Sequence, residues 1–337
     1  MMTHHIPRFV ALRIMGLILS IICFGSASAH AQRQTPLPDT LTMKSVKIWS
    51  EGTRIAGDLY RPNDIRPDET RPVIILSHGW GGTKSGCRAI AIRLASEAGF
   101  ICLAIDYRGW GESDSRLQII GDMPEPDENG EAEVRVKIIR TVVDPWDQLV
   151  DIQHAIDYIF GEPNVDIQKI AYWGSSYSGG HAVWLAAHEP RLACSYGQVP
   201  AADSRDLMRT SFKERDIEKR IEPMASKRAR GEIMPVPQGL DQAPRLRGWP
   251  ILEKVIRYNP VEDAHLIGIA LCIVDAENED LYNRHTTGKL AFERARANGS
   301  DAEYHVLKGI THYGIYSEKA KEAGDIALAF YKKHLRN

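Results

Sequence analysis

Three serines lie close together in the stretch WGSSYSGG, at residues 173–180 of this 337-residue chain. A serine hydroxyl attacks a carbonyl only when a neighbouring base removes its proton. Such a serine is often presented on a sharp strand-to-helix turn with the pattern Gly-x-Ser-x-Gly. Among the three serines, only Ser176 has a glycine two residues before it, which is Gly174. Ser176 is therefore the candidate nucleophile. Ser178 occupies the second glycine position, and two glycines follow it directly.

His312 is the candidate base for this serine. It lies in KGITHYGIY, just after the last strand-like run and just before a helical C-terminal segment. Its position after a strand sets it apart from the histidines at helical positions. We expect structural or surface roles for those residues, which are His154, His188 and His285.

A carboxylate that orients the base should lie in the loop after the preceding strand, because it must fix the imidazole tautomer and stabilise the imidazolium. The stretch IALCIVDAENEDLYN offers four carboxylates, which are Asp275, Glu277, Glu279 and Asp280. The strand ends near Asp275, and the small residue Ala276 is where the chain leaves it. Glu279 follows three residues later and is the candidate acid, with Asp280 as the alternative.

The oxyanion of an acyl transfer needs backbone N–H groups aimed at the reacting carbonyl. SHGWGG, at residues 77–82, follows a buried apolar run and can expose such a group towards the nucleophile. The expected donors are the amides of Trp80 and of Tyr177, the residue after the nucleophile. A phosphate-binding loop is excluded because neither of its glycine patterns occurs. We expect His78 to support the loop rather than take part in the chemistry.

Alternating strands and helices must position these residues. Continuous apolar runs indicate strands buried on both faces, and 3.6-residue spacing indicates helices between them. The predicted fold is therefore α/β, a mostly parallel central sheet flanked by helices, with a helical insertion. We expect an antiparallel pair around Glu51–Gly52, strands at 73–77, 100–106, 169–174, 194–200, 270–275 and 304–307, and helices at 85–98, 146–160, 175–187 and 316–335.

One segment, residues 203–258, interrupts this alternation. It is charged, contains prolines and has no buried-strand run, so we interpret it as a cap or lid inserted over the sheet. The expected organisation is a first core part at 42–202, the cap at 203–258, and a second core part at 259–337.

Residues 1–31 have the features of a secretory signal peptide. Arg8 and Arg13 precede or border a short apolar run at 14–24, and A-x-A patterns follow in SASAHAQ. The run is too short to span a bilayer comfortably, which takes about 20 apolar residues. We expect cleavage, export to a periplasm or to the medium, and no stable membrane span in the mature chain.

Composition excludes several other classes of protein. The net charge is −2, from 42 basic and 44 acidic residues, so no basic surplus indicates nucleic-acid binding. No cysteine and histidine spacing resembles a zinc site, and no cofactor motif is present. We therefore expect neither a metal nor a cofactor, and a small ester-like molecule as the partner. Cys102 and Cys272 lie in apolar strand-like runs and are expected to be buried free thiols.

The motifs together resemble the α/β-hydrolases. HGWGG, DYRGWGESD at 106–114, WGSSYSGG, AENEDL and GITHYGIY occur in the order and approximate spacing of that superfamily. They are most similar to its dienelactone-hydrolase-like and X-Pro-dipeptidyl-peptidase-like branch, from about residue 42 to 335. The order Ser176, Glu279, His312 is that of the family's triad. The chain departs from the usual pattern at Ser178 and in carrying Glu where Asp is commoner.

The resemblance implies a cofactor-free acyl-enzyme mechanism and hence a secreted or periplasmic serine hydrolase of carboxylic esters or thioesters. A peptidase that releases short N-terminal units is the alternative. X-Pro peptidases usually carry a large β-domain after this core, whereas 25 residues follow His312 here, so we expect an esterase. A non-catalytic binding protein on the same scaffold is the third alternative, although such proteins typically lose one of the triad residues.

Overall fold

A computed structural model describes residues 35–211, 217–233 and 246–336. Eight of the strands in this part of the chain form one sheet, in the order β1-β2-β4-β3-β8-β9-β11-β12. β1 and β2 pair antiparallel, as do β2 and β4, and the other neighbours are parallel. The strands are β1 (Leu41–Ser50), β2 (Thr53–Pro62), β3 (Arg71–Ser77), β4 (Ile101–Ile105), β5 (Arg116–Ile119), β6 (Val136–Ile139), β7 (Val142–Val143), β8 (Val165–Ser175), β9 (Leu192–Gln198), β10 (Trp249–Pro250), β11 (Ala270–Ala276) and β12 (Ala302–Leu307).

Helices cover both faces of this sheet. The helices of the described residues are α1 (Arg88–Ala98), α2 (Pro145–Phe160), α3 (Tyr177–His188), α4 (Ser204–Ser211), α5 (Ile217–Ala229), α6 (Leu252–Val255), α7 (Gly288–Ala297) and α8 (Ala320–Leu335). α1 and α8 pack on one face, and α2, α3 and α7 pack on the other. All five residues of β4 are buried, as a continuous apolar run between two helical layers requires.

The predicted fold class is confirmed, and the predicted elements occur in the predicted order. The turn between β1 and β2 lies at Glu51 and Gly52, both with positive φ. Two boundaries were wrong by four residues: β8 begins at Val165 rather than at residue 169, and the closing helix begins at Ala320 rather than at residue 316. Residues His312–Tyr316 form a separate 3₁₀ turn. The Tyr316 hydroxyl is hydrogen-bonded to Ser175 Oγ at 2.6 Å, which holds the 3₁₀ turn beside the strand-to-helix turn at Ser176, called the elbow below.

The segment predicted to be a cap is anchored to the core by backbone and charged contacts. Its described part contains α4, α5, α6 and β10, and β10 pairs in parallel with β7. Lys254 Nζ lies 2.5 Å from Asp144 Oδ2 at the N-terminus of α2. Since residues 212–216 and 234–245 lie outside the described residues, the boundaries of the cap stay a prediction.

A second excursion, the hairpin of β5 and β6, was not anticipated from the sequence. Leu117 pairs with Ile138 and Ile119 with Val136, so these four apolar side chains share one face of the hairpin. Leu117 and Ile138 are more than 60% exposed. On the opposite face of the hairpin, Ile139 is buried.

The predicted signal peptide, residues 1–31, falls outside the described residues. Within residues 35–211, 217–233 and 246–336, no helix combines the length and the apolar character needed to cross a bilayer. Cys87, Cys102, Cys194 and Cys272 are all buried free thiols, which confirms the expectation for Cys102 and Cys272.

Candidate active site

Ser176 sits at the turn between β8 and α3 with a strained backbone. Its φ of 60° and ψ of −118° lie in a region that residues other than glycine rarely adopt, at a cost of about 1–3 kcal/mol. Three backbone hydrogen bonds hold it there. Ser176 N donates to Gln198 O at 2.9 Å, and Ser176 O accepts from Ala201 N at 3.0 Å and from Gly180 N at 3.2 Å. The turn therefore stays in the conformation that presents the hydroxyl.

Small residues around Ser176 are required by close backbone approaches. A Cβ on Gly174 would lie 2.0 Å from Ser178 O, and one on Gly180 would lie 2.4 Å from Ala201 O. Ser178, which departs from the usual glycine, makes its own contribution. Its Oγ accepts from Ser175 N and donates to Ser77 O, both at 2.8 Å. The hydroxyl thus ties the elbow to the end of β3, a bond that glycine could not make.

His312 stands between Ser176 and Glu279. Its Nε2 is 3.0 Å from Ser176 Oγ, and its Nδ1 is 2.8 Å from Glu279 Oε2. The side chains of His312 and Glu279 are each only 1% exposed, so water does not compete for their contact. The three residues follow β8, β11 and β12, whose carboxyl ends lie at one edge of the sheet. The structure therefore brings together the three residues proposed from the sequence.

Asp280, the alternative acid, contacts the backbone of the histidine rather than its ring. Its Oδ1 accepts from His312 N at 3.3 Å, and the residue is exposed. Glu279 Oε1 accepts from Leu281 N at 3.0 Å, which leaves Oε2 directed at the imidazole. Adjacent carboxylates in one loop thus have different partners, and only Glu279 can fix the tautomer of His312.

The glycine turn at residues 77–82 packs directly on Ser176. A Cβ on Gly79 would lie 2.7 Å from Ser175 O and 2.9 Å from Ser176 Cβ. This contact places Trp80, the next residue, beside Ser176 and its neighbour Tyr177, with the two rings 5.1 Å apart. The two residues proposed as oxyanion donors therefore flank the nucleophile.

His78 stabilises the glycine turn at residues 77–82. Its Nδ1 donates to Gly79 O at 2.9 Å, and its ring packs against Tyr107 with 4.6 Å between centroids. Burial lowers its pKa, so the imidazole is neutral and donates through one nitrogen.

The motif DYRGWGESD fixes the far end of the same turn. The buried carboxylate of Asp106 accepts from Lys84 N at 2.6 Å and from Glu112 N at 3.0 Å. Gly111 has φ +49°, and a Cβ there would lie 2.1 Å from Asp106 Oδ2. Lys84 Nζ also lies 3.0 Å from Asp58 Oδ1. Both ends of the glycine turn are thereby held in place.

A cavity of about 270 Å³ opens at Ser176 and His312. The sequence motifs contain Trp80, Trp110, Tyr177 and Tyr313, and of these four residues Trp80 and Tyr313 line this cavity. The other two belong to the core: Trp110 Nε1 donates to Val142 O at 2.8 Å, and Tyr177 is 1% exposed. The remaining lining includes side chains that the sequence analysis did not single out, which are Trp173, Leu246, Arg247 and Tyr316.

His181 is a second buried histidine close to the elbow, but it cannot serve as a base. Its Nε2 donates to Gln148 Oε1 at 2.9 Å, and its Nδ1 accepts from Tyr258 OH at 2.6 Å. Burial lowers its pKa to about 3, so the ring stays neutral and has a structural role. The sequence shows it only as one more helical histidine.

One group of side chains has the residue types of a metal site. Cys272, Glu303 and His305 lie on the paired strands β11 and β12, with one possible ligand atom of each within 4.8 Å of the others. One observation argues against an ion: Lys333 Nζ lies 2.9 Å from Glu303 Oε1, so a cation already neutralises this carboxylate.

Comparisons with known proteins agree with this fold. Residues 72–220 match the family model described as alpha/beta hydrolase fold. The α/β-hydrolase GrgF of Penicillium superposes with a TM-score of 0.64 at 18% identity, covering 88% of this chain and 100% of its own. The resemblance to the α/β-hydrolases inferred from the motifs is thereby confirmed, and the branch within that superfamily stays a prediction.

Relatives in sequence cover parts of the chain. The quorum-quenching protein AidA of Acinetobacter baumannii is 31% identical over 47% of this chain and 44% of its own length. The thiohydrolase aneE of Aspergillus aculeatus is 24% identical over 56% of this chain and 51% of its own length. This chain thus matches only about half the length of these two relatives.

Asp275, at the end of β11, gives a prediction about stability. Burial raises its pKa from 3.8 to about 8, and Tyr304 OH donates to its Oδ2 at 2.9 Å. Between these pH values the unfolded chain releases a proton that the folded chain retains, so the free energy of unfolding decreases as pH rises. The Asp275→Asn variant has no carboxyl group at this position, so its stability does not include this pH-dependent contribution. We expect its stability relative to the wild type to increase from pH 4 to 8 and to level off above.

Urea unfolding across this pH range measures the difference. Glu293→Gln, which changes an exposed carboxyl of α7, is the matched control and should show no such trend. A stability difference between Asp275→Asn and wild type that is independent of pH would contradict the assignment of a protonated Asp275.

Proposed function

We propose that this chain, an α/β-hydrolase, is a serine hydrolase that cleaves a carboxylic ester or thioester through an acyl-enzyme. The observation that carries the proposal is the continuous hydrogen-bonded series from Ser176 Oγ through His312 to Glu279, at 3.0 and 2.8 Å. A nucleophile within hydrogen-bond reach of a base that is itself oriented by a third group is the arrangement acyl transfer requires.

In the acylation step, His312 Nε2 takes the proton of Ser176 Oγ as the oxygen attacks the substrate carbonyl. The protonated imidazole then gives this proton to the leaving alcohol or thiol as the bond to it breaks. In the second step, His312 takes a proton from the water that attacks the acyl-enzyme. The imidazolium gives this proton to Ser176 Oγ as the bond from that oxygen to the acyl carbon breaks, which releases the acid and restores the serine. No cofactor takes part in this proposed sequence.

Glu279 has two tasks in this scheme. Its contact with Nδ1 keeps the proton on that nitrogen, so Nε2 is free to accept the serine proton. Its negative charge stabilises the imidazolium that forms in both steps. The burial of both side chains strengthens this interaction, because the effective dielectric is lower than in water. Asp280, bonded to His312 N, aligns the backbone of the base.

The oxyanion is proposed to accept hydrogen bonds from the amides of Trp80 and Tyr177. Support comes from the packing of Gly79 against Ser176, which sets the glycine turn beside the nucleophile. Removing one donor of such a pair typically costs about 10²–10³ in kcat. Because the donors belong to the backbone, their position depends on the elbow and on the Asp106 contacts rather than on side-chain identity.

The size of the cavity and its lining support a small or medium acyl group. About 270 Å³, with Trp80, Trp173 and Tyr313 in its wall, suits an apolar or aromatic portion. The name of one relative, thiohydrolase, adds support for a thioester as an alternative to an oxygen ester.

We further propose export of this protein to a periplasm or to the medium. The support is the sequence of residues 1–31, with its basic start, short apolar run and A-x-A patterns.

The first prediction concerns the nucleophile. A fluorophosphonate probe should label the wild-type protein covalently and should fail to label Ser176→Ala, because only an activated serine displaces fluoride. Ser175→Ala is the matched control and should still be labelled. Mass spectrometry of the labelled peptide identifies the residue. An unlabelled wild-type protein of native secondary structure would overturn the proposed enzyme and favour a binding protein.

The second prediction separates the two carboxylates. Glu279→Gln should lower kcat by roughly 10³–10⁴. The imidazolium loses the negative charge that stabilises it, and the carboxylate that keeps the proton on His312 Nδ1 is no longer present. Asp280→Asn should lower kcat by less than about 10-fold, because it changes one backbone contact near the surface. Steady-state kinetics with a 4-nitrophenyl ester give both values. The reverse order of effects would assign the acid to Asp280.

The third prediction separates esterase from peptidase. The wild-type protein should hydrolyse 4-nitrophenyl esters and acyl thioesters with a higher kcat/KM than X-Pro 4-nitroanilides. Ser176→Ala, assayed in parallel, removes any contribution from contaminating enzymes. A higher kcat/KM for the anilides, lost in Ser176→Ala, would establish the peptidase instead.

A further inference from the structure

The described wall of the cavity carries an uneven distribution of charge. Arg247 is the only Lys or Arg among the described residues that line it, and none of those residues is Asp or Glu. The other contributors are aromatic, small or neutral polar residues. Among the lining residues that the structure describes, an anionic group of a substrate would therefore meet one Arg side chain and no carboxylate.

Arg247 is held against the glycine turn by its backbone. Gly81 has φ +75°, and a Cβ there would lie 2.8 Å from Arg247 O and 3.1 Å from Arg247 Cβ. The flanking residues are fixed as well. Leu246 is 8% exposed, and Trp249 N donates to Thr141 O at 2.8 Å in the pairing of β10 with β7. The base of the arginine side chain thus has a defined position beside Gly81. Gly81 lies two residues along the chain from Gly79, which packs against Ser176.

The guanidinium of Arg247 has no ion-pair or hydrogen-bond partner among residues 35–211, 217–233 and 246–336, although its side chain is exposed at the cavity. Other arginines of the same segment are paired: Arg205 lies 2.9 Å from Asp203 Oδ2, and Arg228 contacts Glu253. A planar fork of donors without a partner matches a carboxylate, which it can bind through two parallel hydrogen bonds.

We propose that Arg247 binds a carboxylate of the substrate, so that the preferred substrate is an ester or thioester carrying an anionic group on its acyl part. This inference rests on the proposed function, since it assigns the substrate class of the same site. Arg247 acts as a specificity-determining residue, and the chemistry at Ser176 does not depend on it.

The proposal explains why the charge is provided by arginine on the cap. A hydrogen bond between charged groups contributes enough to distinguish an anionic from a neutral ester by roughly 10- to 100-fold. Lysine would supply the charge without the two-point geometry, so it should recover only part of the preference.

The test compares two esters that differ at one end. Both 4-nitrophenyl hemiglutarate and 4-nitrophenyl valerate have five-carbon acyl groups, and only the first ends in a carboxylate. After subtraction of the uncatalysed rate, wild type should show a higher kcat/KM for the hemiglutarate. Arg247→Gln should lower that value by roughly 10- to 100-fold, mainly through KM, and should leave the valerate within about 3-fold. Arg247→Lys should be intermediate.

Arg257→Gln is the matched control. Arg257 is exposed on the same segment, lies outside the cavity lining and has no ion pair among the described residues. Its variant should keep the wild-type ratio of the two kcat/KM values. Free glutarate should also inhibit wild type competitively and inhibit Arg247→Gln less.

If the ratio of kcat/KM for the hemiglutarate to kcat/KM for the valerate were unchanged in Arg247→Gln, the inference would be overturned and the proposed function would stand. Failure of the proposed function gives a different result, in which neither ester is hydrolysed in a Ser176-dependent manner.

Discussion

The close packing of backbones around Ser176 is the constraint on which the rest of the site depends. Ser176 is held at φ 60° by its backbone hydrogen bonds with Gln198, at the end of β9, and with Ala201. At Gly174 a Cβ would clash with Ser178 O, so only glycine fits there. Since the strain costs about 1–3 kcal/mol, the surrounding core must be rigid enough to maintain it. That rigidity comes from strands buried on both faces, which leave the turn no alternative packing.

A buried polar network below the elbow transmits this rigidity to the glycine turn. Ser77, the last residue of β3, accepts through its Oγ from Tyr107 OH at 2.6 Å and also contacts Tyr172 OH. Its carbonyl accepts from Ser178 Oγ at 2.8 Å. One residue therefore joins the strand that precedes the glycine turn to the turn that carries Ser176. A satisfied buried network of this kind is specific in geometry, because any displacement leaves polar groups without partners.

Much of this arrangement could be predicted from the sequence, for reasons that individual residues make clear. Gly174 and Ser176 have fixed spacing on a local turn, and His312 follows a strand, so local patterns were sufficient. The contrast between Glu279 and Asp280 depends on which side chain faces Nδ1, and adjacency in one loop does not determine that. The start of α8 was misplaced because the bond between Tyr316 and Ser175 is a long-range contact with no local signal.

The positions of the proposed triad and of Arg247 in the chain separate the proposed chemistry from the proposed recognition of substrate. Ser176, Glu279 and His312 follow strands of the central sheet, so their geometry depends on the core. Arg247 lies just before β10 in the predicted cap segment, whose described part contacts the core through the pairing of β10 with β7 and the contact of Lys254 with Asp144. Substitutions in this segment can change the charge and shape of the cavity without displacing any strand. Substrate preference can therefore vary among proteins of this fold while the hydrogen-bonded series at Ser176 is retained.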